Sequence, residues 1–479
     1  MNVDLTLFLP ELFQIVLILC LFGQSIFGRS TSAADQLDVT GWLPFASAIG
    51  IVVAGLGLTA QGLVLWEAYR LDGLSQFFKF AVALGFFFAV LNAQKQPTLA
   101  LEHRSDYFLL LSLSAFGLMC LASSVELITI YLSLELSSYS LYALIPLRGK
   151  DPKASEAGVK YILFGAAATA VSLYGLSYIL AAQHTSYLAA LVQKPWNMAE
   201  APMGLLGVSL FMAGFFYKLA LFPFHFWAPD VYEGTSNETA AYAATLPKLG
   251  AVVVLIRLSA TLVPGLSATT IIAVFGALSM TFGNLAALTQ QDVKRILGYS
   301  SVSHAGYITM GLVSGLPQGL AAAGFYSMVY VLMNLTCFWV ICRLSPNGEN
   351  VTLNDLNGLH KSSPFLAFVL AVGAFSLVGL PPTAGFMGKL FLLSSAWNRG
   401  YNWLVVTAAL NTAIAIYYYL NIVRHAYTVE RETSAAVMRT QTGFGMIWGG
   451  VLSFLVLALG MVPSPVFQWA EAAGRQLMP

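Results

Sequence analysis

Four ionisable side chains lie where no soluble protein would keep them. Glu135 sits in IYLSLELSSYSLYAL, Lys218 in GFFYKLALFPFHFW, Lys248 in AAYAATLPKLGAVVVL and Lys389 in FSLVGLPPTAGFMGKLFLL. Each is flanked by apolar residues on both sides. A charge at the centre of a membrane helix costs roughly 2.5 to 3.5 kcal/mol on insertion scales, so four cost on the order of 10 kcal/mol. Glu135 is nine or more residues from either end of its apolar run. At a rise of about 1.5 Å per residue, that is too deep for a carboxylate to reach the headgroups. One carboxylate and three amines have one chemistry in common, the giving and taking of a proton. A static pair between Glu135 and Lys218 that locks two helices is the competing reading. Lys248 and Lys389 have no central carboxylate left to pair with, which favours a relay.

Prolines beside these lysines sharpen the case, because each removes a backbone donor and frees the carbonyl four residues earlier. Pro223 frees that of Leu219, Pro247 that of Ala243, and Pro381 with Pro382 those of Leu377 and Val378. A freed carbonyl is tolerated at membrane depth only where protein or water meets it, so broken helices with hydrated cavities are expected, as in transporters built from inverted repeats. His225 follows Pro223. His304 lies among Tyr299, Ser300, Ser301, Ser303 and Tyr307. Imidazole gives and takes a proton near neutral pH, so both are auxiliary relay candidates, with packing as the alternative. Lys160 lies near the inner end of its span and Arg257 near the outer end. Both can snorkel, Arg257 as an anchor and Lys160 as an anchor or an auxiliary relay group. Lys79 is central in its span, with no role assigned.

The elements that must hold these groups are membrane helices. Of 479 residues, 58% are hydrophobic and 9% charged, against about 25% charged in soluble domains. The net charge of +1 offers nothing to nucleic acid. Cys20, Cys120, Cys337 and Cys342 lie inside apolar runs without metal or redox spacing. The run from Leu12 to Phe27 lacks a positive n-region and reads as a retained helix. Apolar segments fall near 7–27, 42–66, 73–92, 107–124, 125–147, 156–183, 202–226, 237–263, 265–289, 294–315, 318–344, 364–396, 401–423 and 444–470, which predicts fourteen transmembrane helices. Odd-numbered connectors carry thirteen basic residues, Lys294 and Arg343 among them, and even-numbered connectors and tails carry four. By the positive-inside rule both termini face away from the cytoplasm.

At this point the sequence resembles the antiporter-like membrane subunits of NADH:quinone oxidoreductase (complex I) and the related multisubunit cation/proton antiporters. The stretch QQDVKRILGYSSVSHAGYITMG, Gln290 to Gly311, is similar to that family's signature at the start of its tenth helix. KLALFPFHFWAPDVYEG from Lys218 to Gly234, TLPKLG around Lys248 and GLPPTAGFMGK ending at Lys389 match as well. The resemblance covers roughly residues 105 to 425. It implies an all-α polytopic bundle with two inverted five-helix repeats and broken seventh and twelfth spans. The units are three N-terminal helices (1–105), two half-channel units (106–263 and 264–424) and a C-terminal helix (425–479). It implies that Glu135 and Lys218 form the first pair, that Lys248 is central and Lys389 opens the exit, and that Lys160 and His304 match auxiliary positions. Lys389 in the twelfth span and the opening TLFLPELFQIVLIL are similar to the N-type subunit.

The resemblance further implies a subunit of a proton-translocating enzyme, with no redox site on this chain. Flavin, iron-sulfur clusters and quinone belong to partner subunits, and M-type and K-type membrane subunits are its neighbours; it is not a homo-oligomer. The expected location is the bacterial inner membrane, or a plant mitochondrial one, with both termini periplasmic. Desolvation disfavours a charged lysine and a nearby carboxylate restores it, so opening the Glu135–Lys218 pair would send a proton toward Lys248 and on to Lys389. A subunit of a stand-alone sodium/proton antiporter and a non-conducting scaffold are the alternatives.

Overall fold

The structure is a computed structural model, and it describes residues 5–27, 40–94, 98, 103–149, 151–191, 200–260, 267–345, 347–428 and 445–477. Arg29, Lys95, Lys150, Lys194, Arg431 and Arg439, which enter the orientation count, lie outside the described residues.

The chain is helical almost throughout. In order it forms α1 (Leu9–Phe27), α2 (Leu43–Leu56), a small antiparallel hairpin of β1 (Gly62–Val64) and β2 (Tyr69–Leu71), α3 (Gly73–Ala93), α4 (Arg104–Ser123), α5 (Leu127–Leu144) and α6 (Pro152–Gln183). The short α7 (Leu188–Leu191) precedes α8 (Pro202–Leu219), α9 (Trp227–Gly234), α10 (Asn237–Ala243), α11 (Leu246–Ser259), α12 (Ser267–Ala287), α13 (Val293–Leu312) and α14 (Pro317–Leu344). One turn, α15 (Leu359–Ser362), leads to α16 (Pro364–Val378), α17 (Ala384–Trp397), α18 (Asn402–Tyr427), α19 (Gly445–Met461) and α20 (Ser464–Arg475).

Local chemistry sets the starts. Asp72 caps α3 in a capping box with Ser75, and Glu126, Ser236 and Asp292 accept backbone N–H groups at the starts of α5, α10 and α13. Prolines open α6, α8, α14 and α16, where a missing N–H costs nothing.

Ten helices among the described residues are long and apolar enough to cross a membrane, or eleven if α19 and α20 count as one bent span. The shortfall from the fourteen segments read in the sequence has physical causes. The second segment stays helical only to Thr59, and its tail becomes the hairpin instead. Helix α13 has the length but is rich in hydroxyls and starts with Lys294 and Arg295. The twelfth segment is cut into α16 and α17, and the last bends by 73° around Pro463. The seventh and eighth segments are counted among the ten, although the seventh ends at α8 and the eighth changes from α10 to α11 just before Pro247.

Helices α14 and α11 form the centre, buried along their length, and α3, α13, α16, α17 and α20 pack around α14. Outward faces carry bare apolar side chains, among them Phe45, Leu132, Leu163, Leu410, Tyr417 and Phe454. Apolar cover without water-facing charge is what lipid demands of an outer surface.

Candidate functional site

Two helix breaks hold two of the candidate lysines. Helix α8 stops at Leu219, and Ala220 adopts a left-handed backbone (φ 60°). The Leu219 carbonyl, stripped of its helical donor by Pro223, accepts a hydrogen bond from Lys248 Nζ at 2.9 Å. Lys248 donates also to Ser301 Oγ at 3.0 Å and to the Ser301 carbonyl at 3.3 Å. Helix α16 stops at Val378, and Gly379 turns left-handed at φ 88°. Here Lys389 Nζ donates to the carbonyls of Val378 (2.8 Å) and Leu377 (3.3 Å), the two that Pro382 and Pro381 leave free. Three of the four freed carbonyls, those of Leu219, Leu377 and Val378, are thus met by buried ammonium groups. The sequence placed the Leu219 carbonyl beside Lys218; the fold brings it to Lys248 instead. Neither Lys248 nor Lys389 has a carboxylate within 4 Å among the described residues, and each lies over a tyrosine ring, Tyr330 at 5.5 Å and Tyr307 at 4.4 Å.

Helix α13 joins these two lysines. Ser301, which touches Lys248, His304 and Tyr307, which lies under Lys389, follow one another at three-residue spacing and so share a helix face. That face runs about 9 Å along the axis. His304 is buried between two phenols: Nδ1 is 2.7 Å from the Tyr326 hydroxyl and Nε2 is 3.2 Å from that of Tyr419. Tyr419 is hydrogen-bonded in turn to Ser300. Both ring nitrogens have a partner through which a proton can arrive or leave.

The first pair is not closed. Glu135 accepts from Thr169 Oγ1 at 2.8 Å, whereas Lys218 donates to the Tyr161 hydroxyl at 3.0 Å. No ion pair within 4 Å joins them. Lys218 lies over the rings of Tyr161 (5.1 Å), Tyr217 (5.7 Å) and Tyr142 (5.8 Å), an aromatic cage that attracts a cation through the ring faces. His225 is packed against Phe222, Phe226 and Phe282. The structure does not bring it to the lysines.

Lys160 lies in a charged surface cluster, not in the buried line. It pairs with Glu156 and Asp230, each at 2.7 Å, and its side chain is 36% exposed. Arg295 bridges Asp230 (2.7 Å) to Glu233 (2.8 Å), and Lys153 closes the group. Together they line a cavity of about 240 Å³. Partial burial alone would raise the carboxyls of Asp230 and Glu233, but the cations beside them hold both below the usual carboxylate range.

Two basic residues differ from the sequence reading. Arg257 does not snorkel. It forms a buried two-pronged bond with Asp72 at 2.9 and 3.0 Å and reaches the Ala122 carbonyl, because a planar guanidinium matches a carboxylate better than it matches dispersed headgroups. Lys294, counted as a connector charge, is buried and donates to the Thr235 carbonyl at 2.7 Å. Arg148 binds the carbonyls of Glu233, Gly234 and Thr235, so two cations clamp the α9–α10 junction. The sequence reading does not single out the hydroxyl partners Thr169, Tyr161, Tyr326 and Tyr419 or the ring of Tyr142. Tyr326 and Tyr330, four apart on the largely apolar α14, are the available signal.

A helical membrane bundle with two interrupted helices, and with buried lysines held on the exposed carbonyls, defines the class as a proton- or cation-handling membrane subunit. The chain belongs to the NADH:quinone oxidoreductase/Mrp antiporter transmembrane family, which matches residues 124–415. It is 58% identical to NADH-quinone oxidoreductase subunit N 2 of Solidesulfovibrio magneticus over 98% of this chain and 99% of that one. Identity to the subunit of the same name from Opitutus terrae is 43%, over 90% and 89% of the two chains. A chain of respiratory complex I from Thermus thermophilus superposes with a TM-score of 0.84 at 31% identity, covering 97% of this chain and all of that one. A chain of the Mrp complex from Dietzia sp. shares the fold (TM-score 0.83, 20% identity, 99% and 98% covered). The N-type resemblance read from Lys389 and the amino-terminal sequence agrees with these relatives.

Proposed function

We propose that this chain is the N-type membrane-arm subunit of a proton-translocating NADH:quinone oxidoreductase. In this reading it moves protons through Glu135, Lys218, Lys248, His304 and Lys389, driven by redox chemistry in partner subunits. The observation that carries the reading is the face of α13 running from Lys248 to Lys389, with a two-sided His304 between two lysines that lack counter-carboxylates. The buried Arg257, by contrast, is paired with Asp72. Lys218 is loaded when its distance to Glu135 shortens and discharges toward Lys248 when it lengthens. Lys160 and its cluster line the inlet side, and His225 is assigned to packing.

The chain crosses the inner membrane of a bacterium fourteen times with both termini periplasmic. Its parts are 1–105, two inverted half-channel units at 106–263 and 264–424, and 425–479. Flavin, iron-sulfur clusters and quinone are carried by other subunits, and M-type and K-type subunits are its membrane neighbours. The full-length similarity to subunit N proteins favours this over a stand-alone antiporter. The test is Lys218→Ala in the assembled enzyme, reconstituted in vesicles: electron transfer coupled to proton uptake should fall strongly with assembly retained. Normal pumping would end the relay reading. Loss of assembly alone would favour structural ion pairs, and absence of copurifying flavin and iron-sulfur signals would favour the antiporter.

A further inference from the structure

The two members of the first pair are carried by different helix pairs. Helices α4 and α5 meet backbone to backbone: a Cβ added at Gly117 would lie 2.7 Å from the Ser137 amide nitrogen, and Ser114 and Ser137 share a hydrogen bond at 2.9 Å. Helices α6 and α8 do the same. A Cβ at Gly175 would lie 2.6 Å from the Gly207 carbonyl oxygen, Ser172 donates to the Phe211 carbonyl at 2.9 Å, and Tyr217 donates to the Tyr161 carbonyl at 2.8 Å. Packing this close transmits displacement from one helix to its neighbour. Glu135 therefore moves with α4 and α5, and Lys218 with α6 and α8.

Between those two pairs the bonding is sparse. Among the described residues, the one hydrogen bond between α5 and α6 is the 2.8 Å bond that Thr169 donates to Glu135. Helix α6 also supplies the partner of Lys218, the Tyr161 hydroxyl at 3.0 Å. Tyr161 and Thr169 are eight residues apart, about 12 Å along the helix, so α6 holds the ammonium and the carboxylate at separate stations. The ring of Tyr142, two turns beyond Glu135 on α5, packs edge-on against Tyr161 at 5.4 Å and lies 5.8 Å from Lys218 Nζ. While Thr169 donates, the Glu135 carboxylate stays at its own station. Without that donor it is free to turn toward Lys218, whose charge lies in its neighbourhood.

We propose that Thr169 is a positioning residue, a latch whose hydroxyl keeps Glu135 off Lys218 and so sets how long the pair stays open. With the bond made, Lys218 is free to discharge toward Lys248; with it broken, the pair closes and Lys218 reloads. The proposal rests on the relay reading, because the opening of the pair matters only where Lys218 passes protons on. A hydrogen bond to a charged group shifts an equilibrium about tenfold or more. Removing the hydroxyl should make the open pair scarcer by that factor.

The test compares Thr169→Val with Thr169→Ser in the complete complex reconstituted in vesicles. Valine keeps the shape and loses the donor, whereas serine keeps the donor and loses the methyl group. A latch predicts that Thr169→Val lowers coupled quinone reduction and proton uptake about tenfold with assembly retained, and that Thr169→Ser keeps most of the rate. A packing role predicts the reverse order. Wild-type rates in Thr169→Val, equal losses in the two variants, or lost assembly in Thr169→Val would each overturn the latch. Lys218→Ala tells the two failures apart. If it abolishes pumping while Thr169→Val is silent, the latch alone is lost; if it pumps normally, the relay falls and the latch with it.

Discussion

Removing one hydroxyl at Ser301 tests the central step most directly. Lys248 has three N–H donors, and the structure gives it three acceptors: the Leu219 carbonyl, the Ser301 carbonyl and Ser301 Oγ. The Ser301 hydroxyl hydrogen is committed to the Gly298 carbonyl at 2.8 Å, so its lone pairs face the ammonium. Ser301→Ala leaves one donor of a buried cation unmet. A hydrogen bond to a charged group is worth about 1.5 to 3 kcal/mol, and about 1.4 kcal/mol is a factor of ten. The loaded state of Lys248 should therefore become roughly ten to a hundred times scarcer relative to the unloaded one. If protons pass through Lys248, the rate of coupled quinone reduction and vesicle acidification should fall about tenfold or more at unchanged assembly. Ser301→Thr, which keeps the oxygen, should retain most of the rate. An assembled Ser301→Ala enzyme that pumps at the wild-type rate and proton-to-electron ratio would refute the step.

Breaking the buried bridge with Arg257→Ala should cost about 3 to 5 kcal/mol and appear as reduced subunit in the purified complex, with Arg257→Met/Asp72→Asn recovering part of the loss. Gly379→Ala forces a left-handed alanine, worth about 1 to 2 kcal/mol, and sets its Cβ 3.0 Å from Lys389 Cδ. Vesicle assays should find that it pumps less per electron while still assembling. Lys160→Ala should lower activity far less than Lys218→Ala, since its partners are at the surface, where an ion pair is worth about 0 to 1 kcal/mol. The depressed carboxyls of Asp230 and Glu233 contribute stability that is present above their ordinary values, near pH 4, and is lost only as pH falls through the lower folded ones. Between pH 5 and 8 their contribution is constant, so Asp230→Asn should leave the shape of the activity–pH curve unchanged in that range.

The sequence carried the lysines and the breaks because both violate a rule of the bilayer: charge in an apolar run, and proline inside a helix. Those violations are local and legible residue by residue. Pro381 and Pro382 named Leu377 and Val378 as free carbonyls, and Lys389, about two turns beyond the prolines, met them. What was not legible depended on contacts between distant segments. That the Leu219 carbonyl meets Lys248 and not Lys218 is a matter of how α8 packs on α11. Arg257 read as a snorkelling anchor because its partner Asp72 lies 185 positions away, at a helix cap. Lys294 read as a connector charge because its acceptor is a backbone carbonyl, and a carbonyl has no sequence signature.

Both breaks work by one device, which explains why no anion is needed beside Lys248 or Lys389. A carboxylate would hold the ammonium in a deep well and stop the proton there, as Asp72 holds Arg257. A carbonyl carries only a partial charge, so it orients the ammonium without trapping its proton. The left-handed residues Ala220 and Gly379 end each helix where such carbonyls point at the lysine. Tyrosine rings supply the rest of each cation's environment, at 5.5 Å for Lys248 and 4.4 Å for Lys389, without offering a base. Of the three lysines, only Lys218 has a carboxylate in its neighbourhood among the described residues, that of Glu135, which accepts from Thr169. In the proposed relay, that asymmetry makes Lys218 the point where a change in distance alters the proton's residence, and it makes Lys248, His304 and Lys389 the stations that only pass it on.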